Sequence, residues 1–67
     1  MNKDELRRSL RVLIEEYIDD KDYALELIAT LADPKAKFIL AEIDRRKTKD
    51  YSPELRNMMK DIAFYYL

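Results

Sequence analysis

The chain has 67 residues, enough for one small domain, and a single core of that size rarely supplies more than ~3–5 kcal/mol. Thirteen basic residues against fourteen acidic ones leave a net charge of -1, so no whole-molecule field draws the chain onto nucleic acid. With no Cys and no His, thiolate chemistry, the commonest acid–base group and the commonest transition-metal ligand are all missing; an enzyme is not expected, and neither is a cofactor, a metal or a small-molecule ligand.

Only Pro34 and Pro53 break the chain, glycine is absent, and strand signals are missing, so the sequence predicts an all-α fold of three to four short amphipathic helices. The first helix is expected over about 3–19. Leu6, Leu10, Leu13, Ile14, Tyr17 and Ile18 recur at helical spacing, Asn2 can cap it, and Asp4 and Glu5 suit the positive end of its dipole. Asp19-Asp20-Lys21-Asp22 ends this helix and can cap a second, over about 22–32, whose stripe is Ala24, Leu27, Ile28 and Leu31. Asp33-Pro34 reads as an acidic cap followed by proline at the first helical position. It opens a third helix over about 34–47, with Ala36, Ile39, Leu40 and Ile43 on one face and Arg45, Arg46 and Lys47 at its negative end. Thr48-Lys49-Asp50-Tyr51 is the expected hinge, and Ser52-Pro53-Glu54 repeats the cap-proline-acid signal at the start of a fourth helix striped by Leu55, Met58, Met59 and Ile62. Residues 1–50 are thus expected to form a helical unit, and 51–67 a terminal helix or arm that can detach to bind a partner.

Lys and Glu are abundant, thermolabile residues are scarce, and charged residues make up 40% of the chain, a bias expected of a thermophile. No stretch approaches the ~20 apolar residues of a membrane span. Arg7, Arg8 and Arg11 interrupt any apolar leader, so a cytoplasmic protein is expected.

Few groups suggest chemistry. Glu15, Glu16, Asp19, Asp20 and Asp22 cluster, but without the alternating spacing and glycine of a calcium loop; a solvated helix end explains them. Ser9, Thr30, Thr48 and Ser52 have no neighbouring base to activate a nucleophile. The run Arg45-Arg46-Lys47-Thr48-Lys49 is the best case for nucleic acid. The helix before it offers Ala36, Phe38 and Ile39 rather than base-reading side chains, so direct nucleic-acid binding is not expected.

The most informative segment is Met59-Lys60-Asp61-Ile62-Ala63-Phe64-Tyr65-Tyr66. An aliphatic residue followed three and four positions later by two aromatics puts Ile62, Tyr65 and Tyr66 on one face of a tight turn, a plug suited to an apolar pocket on a partner. Three consecutive aromatics cannot all face inward from one helix. The spacing matches the box of peptides that bind the sliding clamp (PCNA), glutamine-x-x-aliphatic-x-x-aromatic-aromatic, with Met59 where glutamine is expected. Chain size, thermophile-like composition and this degenerate box resemble the small archaeal clamp inhibitors, the Thermococcales inhibitors of PCNA. The resemblance implies a protein that occupies the clamp's peptide site, extends past it with a helix and opens the trimeric ring, blocking clamp-dependent replication.

Two aromatics and one aliphatic residue bury on the order of 10 kcal/mol gross, while association and ordering cost roughly 4–15 kcal/mol. Extra contacts are therefore expected from Leu55, Met58 and Tyr51, with Met59, Ile62, Phe64, Tyr65 and Tyr66 forming the box. The alternative is a helical homo-oligomeric or nucleic-acid-binding module that keeps the terminal aromatics in its own core. Met58, Ile62 and Tyr66, at i, i+4 and i+8, have the spacing for that role.

Overall fold

In a computed structural model describing residues 1–67, four helices and no strands make up an all-α protein that is 78% helical. The elements are α1 (Lys3–Tyr17), α2 (Lys21–Ala29), a 3-10 turn (Thr30–Ala32), α3 (Ala36–Arg46) and α4 (Pro53–Tyr66). Side chains cap three of the four helices. Asn2 Oδ1 accepts from the Glu5 N–H at 2.8 Å, Asp20 Oδ1 from the Tyr23 N–H at 3.1 Å, and Ser52 Oγ from the Leu55 N–H at 3.2 Å. Pro53 follows its cap at the start of α4, where its missing N–H costs nothing.

The third helix corrects the sequence expectation. It begins at Ala36 rather than at Pro34, with Lys35 as N-cap and no side chain capping it. Asp33 instead closes the preceding turn, its N–H donating to the Thr30 carbonyl at 3.2 Å. The carbonyls left over at that turn are taken by α1: Arg7 Nε donates to the Leu31 oxygen at 2.9 Å and Nη2 to the Ala32 oxygen at 3.2 Å. A guanidinium some two dozen residues away thus satisfies a helix end that local side chains leave open.

The first helix is central and packs against α2, α3 and α4, while α3 also packs against α4. Its stripe is almost fully buried: Leu10, Leu13 and Ile14 are 0% exposed, and Tyr17 is 1%. The helix stops at Tyr17, two residues short of expectation, because Ile18 turns extended and drives its own side chain into the core. Ile39 and Ile43 of α3 and Ile62 of α4 complete the fully buried set. The backbone spans 28 × 27 × 15 Å, a flattened shape, and no residue takes a positive φ.

Residues 48–51 do not form a loose hinge. Tyr51 packs edge-on against Tyr17 with centroids 4.9 Å apart and planes at 78°. The Tyr17 hydroxyl accepts from the Ser52 N–H at 2.9 Å, and Lys49 Nζ reaches Glu16 at 2.5 Å. The connector is strapped to the end of α1, and α4 lies folded against the other helices. No helix is long and apolar enough to cross a membrane.

Candidate protein-interaction surface

The terminal box is divided between core and surface. The α4 helix continues to Tyr66, with the Leu67 N–H donating to the Ala63 carbonyl at 3.1 Å. At 3.6 residues per turn, Tyr65 and Tyr66 lie within about 60° of Ile62, whereas Phe64 lies about 200° from it. Of these only Ile62 lies on the side that α4 turns into the core; Tyr65 and Tyr66, one turn further on, are exposed. Ile62 is consequently 0% exposed, and in the folded chain it belongs to the core. Leu55, Met58 and Met59 pack half-buried around the same core.

Tyr51 is also a structural residue here. Its hydroxyl donates to Asp44 Oδ1 at 2.9 Å, and Lys47 Nζ sits 4.3 Å from its ring centroid. Burial first, and then the hydrogen bond to the Asp44 carboxylate, push its phenol up to about 12. The same hydrogen bond, followed by Lys47, holds Asp44 below its usual range.

At the far end of α4 the remaining box residues reach solvent. Phe64 is 81% exposed, Tyr65 57% and Leu67 59%, and the Phe64 and Tyr65 rings meet edge-to-face at 5.0 Å. Tyr66, at 36%, is the least exposed of them: its hydroxyl donates to the Met1 carbonyl at 3.2 Å, and it lines a shallow groove of about 640 Å³ with Phe38 and Ala41 of α3, flanked by Lys35 and Lys37. Phe38, more than half exposed, is an addition to the expected surface. The signal for it was legible, since it stands one position off the buried stripe of α3. Leu25 stands one position off the stripe of α2 in the same way and is 63% exposed.

The charged clusters are largely satisfied within the chain. Arg45 and Arg46 both reach Glu42, at 2.7 and 3.9 Å, while Lys47 pairs with Asp44 at 3.3 Å and Lys49 with Glu16. The Arg46 guanidinium also stacks 4.0 Å from the Tyr23 ring centroid. Tyr23 donates a short hydrogen bond to Glu42. That bond, then the one from Arg45, lowers the carboxyl of Glu42; the bond to Glu42, then burial, raises the phenol of Tyr23. Every cation in the basic run faces an anion of its own chain, leaving no open stripe of charge. In the acidic cluster, Glu15 pairs with Arg11 at 2.9 Å and Asp20 is spent on capping α2.

The chain matches no known protein family, and neither the curated proteins nor the solved structures hold a significant match to it.

Proposed function

We infer that this chain is a small, non-enzymatic regulator of the DNA sliding clamp, which docks the aromatic end of α4 in the clamp's peptide pocket and perturbs or dissociates the ring. The observation that carries the reading is the pair of edge-to-face, solvent-facing rings Phe64 and Tyr65, followed by the exposed Leu67, which nothing in the chain covers. The spacing of Met59, Ile62, Tyr65 and Tyr66 directs it toward the clamp. Pairing of the basic run within the chain favours a protein partner over a nucleic acid.

Docking as a complete box requires Ile62 to leave the core. The last turns of α4 must then unwind, giving up roughly 1.5–3 kcal/mol of burial for that side chain alone. Affinity is therefore limited by the cost of opening the fold, and the surface of Leu55, Met58 and Met59 released on opening is available to offset it. A second reading follows from the burial of Ile62: the chain docks on a different protein through Phe64 and Tyr65 alone, without unwinding.

The test is the light-scattering mass of a thermophilic archaeal sliding clamp with and without this chain. A shift from trimer to a smaller complex supports an inhibitor that opens the ring, whereas a trimer with added mass indicates an ordinary clamp ligand. No change at any ratio removes the clamp and leaves the second reading. Loss of binding in Tyr65→Ala with Tyr66→Ala is expected; binding unchanged in that variant refutes the anchor assignment.

A further inference from the structure

Two shallow depressions lie side by side between α1 and α2 and share Ile28. One, of about 310 Å³, has Ile18, Leu25 and Ile28 among its walls; the other, of about 280 Å³, lies over Ile28 and Leu31 beneath Arg7, Arg8 and Arg11. They form one apolar groove, which shares no residue with α4.

Charge along this groove is polarised. Its end at the start of α2 is lined by Glu15 and Lys21 and flanked in the chain by Asp19, Asp20 and Asp22, a set that is acidic on balance, while its opposite end is lined by the three arginines. Arg7 is occupied by Asp4 and by the Leu31 and Ala32 carbonyls, and Arg11 by Glu15, but Arg8 has no ion pair in the chain. On α2, Asp22, Leu25 and Glu26 stand at i, i+3 and i+4 and so share an outer face. All three are exposed, and neither acid pairs with a cation of its own chain.

Such a surface is complementary to itself turned end for end. When two copies of α2 run antiparallel about an axis near Leu25 and Ile28, the acidic end of each meets the arginine end of the other, and the two leucines cross at the middle. We propose that the α1–α2 groove is the interface of a two-fold homodimer in which Leu25 of each copy seats against the other copy's Ile28 and Asp22 of each faces the other copy's Arg8. Symmetry makes every contact twice, so modest charge pairs count double.

Sedimentation velocity of the full chain, from low micromolar to millimolar concentration, tests this. The mass is expected to rise from monomer to dimer, less readily at high salt. Leu25→Asp is expected to stay monomeric throughout, and Phe64→Ala to dimerise as the parent does. Arg8→Glu is expected to weaken dimerisation by about tenfold, and combining it with Asp22→Arg in one chain to restore it. These positions are exposed, so helicity by circular dichroism is expected to be unchanged in each variant. A chain monomeric at every concentration overturns the proposal and leaves the groove to a different protein. A dimer that survives Leu25→Asp places the interface elsewhere, and failure of the charge exchange to restore association refutes the antiparallel pairing.

Discussion

Replacing Ile62 by alanine separates the structural role of the C-terminal segment from its binding role. Ile62 is the only fully buried residue of α4, at 0% exposure, and packs in the cluster completed by Ile39 and Ile43 of α3 and Leu10 and Leu13 of α1. Truncating a buried isoleucine to alanine costs about 2–5 kcal/mol, from lost transfer free energy and the cavity left behind. A domain this small holds only roughly 3–5 kcal/mol in total, so the variant is expected to lose about two-fifths of its stability or more. In urea, with a slope near 1 kcal/mol per molar for a small chain, the midpoint should fall by about 2 M or more. Circular dichroism in a urea titration reads this directly. Ile62→Val, expected to cost about 0.5–1.5 kcal/mol, gives a measurable midpoint where the alanine variant is unfolded from the start. A midpoint shift below about 0.5 M for Ile62→Ala refutes the reasoning, because it means that α4 contributes nothing to the core.

Phe64→Ala, by contrast, is expected to leave the stability read from the urea titration within about 0.5 kcal/mol of the parent, since the ring is 81% exposed, and to weaken partner binding in the mass assay. Tyr17→Phe keeps the ring packed on Tyr51 but removes the acceptor of the Ser52 N–H; a loss of about 0.5–1.5 kcal/mol in the same titration is expected. Stability should be level up to pH near 10.0 and then fall as pH rises toward about 12, because the unfolded chain ionises Tyr51 while the folded chain holds it neutral. The raised Tyr23 and Lys49 act in the same direction. Tyr51→Phe should flatten part of that decline in urea titrations across the alkaline range. At low pH the sign reverses, since Glu42 and Asp44 are lowered in the fold and their contribution is lost as they protonate.

Helix number, stripes and three caps were legible because each is set by residues within one or two turns: Asn2, Asp20 and Ser52 act on N–H groups three positions on. The start of α3 was not. Asp33-Pro34 has the local form of a helix start, and what overrides it is the 3-10 turn it closes, held by Arg7 across the groove to α1. That contact joins residues no local window contains. The terminal box was legible as spacing but not as orientation. Inward or outward placement of Ile62 depends on whether α4 docks on α1 and α3, and on whether its last turn is α or the tighter 3-10 form. The strap formed by Tyr17, Tyr51 and Ser52 was likewise hidden, because all three residues have ordinary local explanations as stripe, linker and cap.

The backbone that takes no positive φ anywhere, in a chain without glycine, has a consequence in the denatured ensemble rather than the native one. Each position where a non-glycine residue replaces a freely rotating one narrows the unfolded chain by about 0.4–1 kcal/mol of conformational entropy. With Pro34 and Pro53 fixing two further torsions, the disordered state is poorer in alternatives from the outset. A core of fourteen buried residues therefore has less disorder to overcome than its size suggests, and heat, which amplifies the entropy of the open chain, gains less leverage on it.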